Sequence, residues 1–124
     1  PEQLNQHRLL VFMNAKPRKL INTKSNDDFS FPPEKGKPRI LCDDGASMRI
    51  GAKAGVGICM SSLWSIHTEL QEGSLVRVLP DHKIDDNSAV WLVYPKSNVL
   101  TAKVRVFIDF LVEKIGDSPI WEAP

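Results

Sequence analysis

The sequence predicts an α/β fold, and three observations support that prediction. Continuous apolar runs of strand length recur along the chain, as is typical of buried strands. Longer segments with capping residues at their starts lie between these runs in the second half. Glycine and proline residues mark the ends of the segments. Strands that alternate with helices in this way favour the α/β class.

Composition and charge exclude several classes of protein. The 124 residues suffice for one small domain, and 42% apolar with 25% charged residues is ordinary for a globular protein. Sixteen Lys and Arg against fifteen Asp and Glu give a net charge of +1, which argues against a dedicated nucleic-acid binder. No apolar run approaches the roughly 20 residues of a membrane span, and residues 1–7 lack the pattern of a signal peptide. We therefore expect a cytoplasmic protein without membrane contact.

The first third of the chain predicts four strands. His7–Met13 is a continuous apolar run and predicts a buried strand. Leu20–Thr23 and Phe29–Phe31 predict two short strands, because residues 25–28 between them have turn composition. Arg39–Cys42 predicts a fourth strand, set off by the prolines and the glycine that precede it.

The next segment predicts a helix of unusually small residues. An aspartate before its start is a good N-cap, and Gly55 is placed as its C-terminal stop. Each glycine in a helix costs about 1 kcal/mol, so the small residues indicate a close approach to this backbone. Val56–Met60 then predicts a buried strand.

A second helix, Leu63–Gln71, is predicted from Ser61 and Ser62 as N-cap candidates and from a glycine stop at position 73. The apolar run Leu75–Leu79 predicts a strand, and a polar loop is expected over residues 81–88.

The last part of the chain predicts a strand and a long helix. Ala89–Tyr94 is a further apolar run, and Thr101 can cap a helix that ends near Ile115 before a glycine. One face of that helix carries apolar residues at helical spacing, namely Val104, Phe107, Ile108, Leu111 and Ile115. Residues 117–124 form a tail.

The sequence contains no pattern typical of a catalytic or metal centre. A dinucleotide fingerprint starting at Gly55 would need a glycine where Met60 stands. The three histidines share no metal-ligand spacing, and no serine lies in a nucleophile elbow. Cys42 and Cys59 lie in apolar runs and are expected to be buried free thiols. We expect no catalytic residue, no metal and no cofactor, and so no enzyme.

Several motifs together resemble the C-terminal part of the effector-binding domain of LysR-type transcriptional regulators. An Asp-Asp-Gly turn at Asp43 leads into a small-residue helix that closes in Ala54-Gly55-Val56-Gly57-Ile58. The run Gly73-Ser74-Leu75-Val76-Arg77-Val78-Leu79-Pro80 follows, and then Lys103–Glu113 and Pro119-Ile120-Trp121-Glu122. The order and spacing match over nearly the whole chain. One departure is Ser62, where the family usually has a proline.

This resemblance implies a periplasmic-binding-protein type II-like fold with two lobes. Residues 1–89 would form regulatory subdomain II, residues 90–116 the returning strand and C-terminal helix of subdomain I, and residues 117–124 a tail. The family binds a small-molecule effector between its lobes, forms homo-oligomers, and contacts DNA through a helix-turn-helix domain that this chain lacks. A complete regulator would be more than twice as long.

The resemblance also places three segments of this chain in the effector cleft. The candidate effector-binding residues are Asn14, Ala15, Asp44, Gly45, Ala46, Ser47, Ser61 and Ser62. Unpaired N–H groups and the dipole at a helix start favour an anionic effector, whereas Asp44 could satisfy the same groups as a cap. Two other functions stay open at this point: a lobe of a solute-binding transport protein, and a small cytosolic α/β enzyme.

Overall fold

The chain forms two compact units, Pro1–Asn87 and Ser88–Pro124. The computed structural model describes residues 1–34, 39–85, 89–94, 101–116 and 119–122. After a 3-10 turn at Glu2–Gln6, the elements of the first unit are β1 (Leu9–Phe12), β2 (Arg18–Asn22), β3 (Asp28–Phe31), β4 (Arg39–Cys42), α1 (Gly45–Lys53), β5 (Ile58–Cys59), α2 (Leu63–Gln71) and β6 (His82–Ile84).

A parallel sheet with the strand order β4-β1-β5 lies at the centre of the first unit. Leu9 of β1 pairs with Arg39 on one side and with Ile58 on the other. Both faces of the central strand are covered, because Leu9, Leu10 and Val11 are all buried. This explains why the run is continuously apolar.

Helix α1 covers one face of the parallel sheet at very short range. A Cβ placed on Gly51 would lie 3.2 Å from a methyl group of Leu10, which is closer than a side chain normally tolerates. The predicted close approach to this helix is therefore made by the core side chain of Leu10. On the opposite face, Leu9 and Val11 join Leu4 and Phe31 in the buried core.

The remaining strands form an antiparallel sheet with the order β3-β2-β6. The predicted strands around the turn are confirmed, although β2 begins at Arg18, two residues before the predicted start at Leu20. The turn is held by the Asn22 side chain, whose Oδ1 accepts hydrogen bonds from the backbone of Lys24 at 2.8 Å and Ser25 at 3.1 Å.

The predicted strand at Leu75–Leu79 is wrong. No strand forms there; Leu79 takes a left-handed conformation with φ at 57°, which breaks an extended chain. Its carbonyl accepts a hydrogen bond from His82 N–H at 3.0 Å, and the chain then continues as β6. β6 pairs with β2, so a strand replaces part of the predicted polar loop.

The second unit contains helix α3, Ala102–Ile115, which ends at Gly116 with φ at 57°. The helix begins where predicted, although the Thr101 side chain makes no capping bond. None of its described residues is buried. A 3-10 turn follows at Ile120–Glu122. Residues 95–100 and parts of the predicted tail lie outside the described residues.

The predicted strand at Ala89–Tyr94 is also wrong, because this segment pairs with no strand. Trp91 and Val93 are 80% and 88% exposed. A strand needs a partner for its backbone groups. The described residues of this unit include no second strand that could supply one.

Candidate functional site

The three segments predicted for effector contact follow three neighbouring strands of the parallel sheet. Asn14 and Ala15 come after β1, Asp44 to Ser47 after β4, and Ser61 and Ser62 after β5. Because parallel strands end at the same edge of a sheet, these segments share one edge. The Met13 N–H donates to the Cys42 carbonyl at 2.7 Å and holds the first two segments together.

The loop after β1 presents a polar side chain at this edge. The Ala15 N–H donates to the Phe12 carbonyl at 3.0 Å and closes a tight turn. Asn14 takes a left-handed conformation with φ at 62°, which asparagine tolerates better than most residues. Both residues are exposed, and the Asn14 amide makes no hydrogen bond with the described part of the chain. That amide is therefore available to donate to and accept from a ligand.

The start of α1 is capped by Asp44, as predicted. Its Oδ1 accepts the Ser47 N–H at 2.8 Å, and its Oδ2 accepts the Ser47 hydroxyl at 2.5 Å. These hydrogen bonds, first that from the hydroxyl and then that from the backbone, lower the pKa of the Asp44 carboxyl. The carboxylate therefore stays ionised at neutral pH and already occupies part of the helix start.

Open space lies next to the first turn of α1. Gly45, Ala46 and Ser47 are exposed, and a Cβ placed on Gly45 would meet no atom within 4 Å. A ligand can therefore approach the backbone here.

The start of α2 differs from its prediction in one respect. Ser62 occupies the N-cap position, but its side chain makes no capping bond. Its carbonyl instead accepts the N–H and the hydroxyl of Ser65, both at 3.0 Å. The half-buried Ser61 hydroxyl lies 3.1 Å from the Ser65 hydroxyl. Ser62 thus offers an exposed hydroxyl, whereas that of Ser61 is partly engaged.

Sequence reasoning missed a charged contact that joins α1 to α2. The buried Glu69 carboxylate of α2 lies 3.7 Å from Arg49 Nε and 3.9 Å from Lys53 Nζ, both on α1. Arg49 also donates to the Ser65 carbonyl at 3.3 Å. The sequence contains one related feature: Arg49 and Lys53 lie one helical turn apart on α1, so both can face the same acidic partner. Through these contacts the helix that begins at the candidate site is fixed to its neighbour.

Among the described residues, side chains that could bind a metal or act as a nucleophile do not come together at this edge. Within the described ranges, no three His, Cys, Asp or Glu side chains are placed to hold a metal ion. Cys42 and Cys59 are free, half-buried and separated by β1, and burial raises the pKa of the Cys59 thiol. In the same part of the chain, no helix has the length and apolar character required to cross a bilayer.

Comparison with known proteins identifies relatives over most of the chain. The family model described as the LysR substrate binding domain matches residues 1–116. The HTH-type transcriptional regulator CrgA of Neisseria meningitidis is 30% identical over 117 residues, which is 94% of this chain and 38% of that protein. The HTH-type regulator DmlR of Escherichia coli is 39% identical over 57 residues, 46% of this chain and 18% of its own.

Solved structures give the same result. The regulatory domain of AphB from Vibrio vulnificus superimposes with a TM-score of 0.66 at 25% identity, covering 90% of this chain and 54% of that domain. The chain thus spans well under two thirds of the proteins that it matches. The predicted periplasmic-binding-protein type II-like fold is confirmed by these neighbours. Since the family model covers residues 1–116, this chain belongs to the LysR substrate-binding domain family.

Proposed function

We propose that this chain forms part of the effector-sensing domain of a LysR-type transcriptional regulator, with its effector site at the carboxyl edge of the parallel sheet. The observation that supports this proposal is the alignment of three exposed loops at the ends of three adjacent parallel strands. In open α/β sheets, ligands bind outside the carboxyl ends of strands. Neither the transport-protein lobe nor the enzyme is favoured by any observation.

The polar groups at this edge suit a small hydrogen-bonding molecule. In our proposal the Asn14 amide contacts the ligand from the β1 loop, next to Ala15. The backbone of Gly45 and Ala46 and the Ser47 hydroxyl contact it from α1. The hydroxyls of Ser61 and Ser62 contact it from the start of α2.

The finer proposal is that the effector carries an anionic group. The helix dipole at α1 favours an anion, but the ionised Asp44 carboxylate opposes one by like charge. An anionic group would therefore replace Asp44 at the Ser47 N–H, with Asp44 turning outward. The Asp44 side chain is exposed, which leaves room for that rotation.

The proposal extends to the whole regulator. Residues 1–89 would act as regulatory subdomain II, residues 90–116 as the returning part of subdomain I, and residues 117–124 as a tail. Effector binding would close the two lobes and bias the arrangement of a homo-oligomer. DNA would be bound only by a helix-turn-helix domain outside this chain. We propose a cytoplasmic protein without catalytic activity.

Changing Ser47 to Leu tests the site. The bulkier side chain fills the space beside the first turn of α1 and removes one hydroxyl. A panel of small organic acids and neutral polar metabolites is screened by thermal shift, and hits are then titrated. We expect Ser47→Leu to weaken the affinity for a hit about tenfold, the value of one hydrogen bond to a charged group.

The exposed Thr68 of α2 supplies the matched control, because Thr68→Leu adds a similar side chain away from this edge. Equal affinities for Ser47→Leu and wild type would remove the start of α1 from the site. Hits confined to neutral compounds would remove the anionic group from the proposal.

A further inference from the structure

Two serine hydroxyls lie against each other at the start of α2. The oxygens of Ser61 and Ser65 are 3.1 Å apart, and both residues are half-buried. Ser61 comes shortly after β5, and Ser65 lies in the first turn of the helix. The pair therefore stands between the body of α2 and the carboxyl edge of the parallel sheet, where the effector site is proposed.

The proton of the Ser65 hydroxyl has a fixed destination. The Ser65 oxygen lies 3.0 Å from the carbonyl oxygen of Ser62. A carbonyl oxygen can only accept, so the hydroxyl is the donor in this hydrogen bond. A serine hydroxyl has one proton and two lone pairs. Ser65 therefore faces Ser61 with a lone pair and not with a proton.

The donor within the serine pair is then Ser61. At 3.1 Å one of the two oxygens must donate, and only the Ser61 hydroxyl still has a proton to give. That proton is used inside the protein. Toward the open edge, the Ser61 oxygen presents lone pairs alone. It can accept a hydrogen bond from a ligand, but it has no proton with which to donate one.

Backbone contacts hold Ser65 in this place. Its N–H donates to the Ser62 carbonyl at 3.0 Å, and its own carbonyl accepts from Arg49 at 3.3 Å. Neither contact uses the Ser65 side chain, so a substitution there leaves both intact. The hydroxyl of Ser62 itself is exposed and makes no capping bond. Ser62 can therefore donate or accept, and it does not discriminate between ligands as Ser61 does.

We propose that Ser61 selects an effector that presents a hydrogen-bond donor, such as a hydroxyl or an amino group, to the start of α2. Ser65 is the positioning residue that sets this preference. An effector with only a carbonyl or ether oxygen at this point would place a lone pair against a lone pair. The inference rests on the proposed effector site and adds the chemical class of its ligand. With an anionic group at α1, that class is a hydroxy acid or an amino acid.

The test compares acids that differ in this one group. Lactate and phenyllactate carry a hydroxyl where pyruvate and phenylpyruvate carry a carbonyl, and all of these acids have the same charge. Each is titrated into the 124-residue chain, and binding is followed by the NMR shifts of backbone amides, which report weak binding. We expect the hydroxy acid of a pair to bind about fivefold more tightly than the keto acid, the value of one net hydrogen bond.

Variants of Ser65 separate its hydroxyl from its place in the helix. Ser65→Ala removes the acceptor of the Ser61 proton, so the freed Ser61 hydroxyl can donate or accept and the two acids should bind equally. Alanine favours the helix, so this variant should fold. Ser65→Thr keeps a hydroxyl that can bond the same carbonyl, and it should keep the wild-type preference. Ser74→Ala is the matched control, because it removes a serine hydroxyl beyond the other end of α2.

Neutron diffraction from crystals of the deuterated chain tests the same inference without a ligand. The deuterium of the Ser61 hydroxyl should point to Ser65, and that of Ser65 to the Ser62 carbonyl. The reverse orientation, with the Ser65 deuterium on the side of Ser61, would overturn selection by Ser61 and leave the proposed effector site in place.

The titrations distinguish failure of this inference from failure of the proposed function. Equal affinity of wild type for the two acids of a pair would overturn selection by Ser61 but not the effector site. An unchanged preference in Ser65→Ala would show that Ser65 does not set it. Binding of none of the acids would count against an acidic effector at this edge, and the inference would fall with it.

Discussion

Asp44 links the candidate site to the folding of α1. The same carboxylate that caps the helix stands where the proposed anionic ligand would bind, and it accepts hydrogen bonds from the backbone and the hydroxyl of Ser47. The hydrogen bonds that lower its pKa form only in the folded state. Protonation of this carboxyl therefore acts on stability.

We predict that Asp44→Asn makes stability less sensitive to acid. Because the folded pKa is lowered, the contribution of Asp44 is fully present above its unfolded value near 4 and is lost as pH falls through the lower folded value. Asparagine caps a helix about as well and does not titrate. Thermal unfolding followed by circular dichroism at about pH 6 and about pH 3 should show a smaller decrease in Tm for the variant. The same decrease in both proteins would contradict this.

At the level of elements, the ion pairs between α1 and α2 share one buried carboxylate. Glu69 lies between Arg49 and Lys53, whose side chains are 41% and 42% exposed. Partly exposed cations at 3.7 and 3.9 Å provide modest attraction. Removal of the Glu69 charge should therefore lower the free energy of unfolding measurably, while the chain still folds.

We predict that Glu69→Gln lowers the free energy of unfolding by about 1 kcal/mol, because two ion pairs are lost while the shape is kept. Urea denaturation measures the change. Glu72→Gln is the matched control, since Glu72 is exposed at the end of the same helix and has no ion pair among the described residues. A Glu69 variant as stable as the Glu72 variant would show that the contact contributes nothing.

The elements that the sequence predicts well are those with local signals. Helices α1 and α2 are bounded by an N-cap residue and by glycines with positive φ at 55 and 73. Strand β1 is a continuous apolar run, and β4 consists of three apolar residues after Arg39. The strands predicted at Leu75–Leu79 and Ala89–Tyr94 fail because a strand depends on a distant partner, which local composition does not reveal.

The candidate site likewise combines features that sequence motifs predict with features that depend on tertiary packing. Family motifs identified the loops after the three strands, and the parallel order of those strands explains why they share an edge. The ion pairs of Glu69 could not be predicted, because its partners are distant in sequence and meet it only through packing. The left-handed conformation of Leu79 likewise follows from the tertiary structure and not from its type.

On the scale of the whole molecule, the described residues of the second unit form no buried core. Phe107 and Phe110 of α3 are 59% and 49% exposed, and no described residue of that helix is buried. Burying such a side chain contributes about 1.5–3 kcal/mol. An uncovered surface of this kind favours association with a further surface.

We predict that the chain self-associates through α3 and that Phe107→Asp weakens the association at least about tenfold, as expected for loss of one buried aromatic side chain. Sedimentation velocity across a range of concentrations measures this. Arg105→Asp, at an exposed position of the same helix, controls for the added charge. A wild-type chain that stays monomeric at high concentration would refute the prediction.

The strand order of the parallel sheet also sets the sequence of events in folding. β2 and β3 are joined by a short turn, so this hairpin can form as soon as residue 31 has left the ribosome. β1 must wait for β4 and then for β5, because its partners begin only at Arg39 and Ile58. Such distant pairings require closure of long loops and are intrinsically slow. During synthesis, β1, the most apolar of the described strands, therefore stays without its partners until β4 and β5 have been made, and a chaperone has that time to bind it.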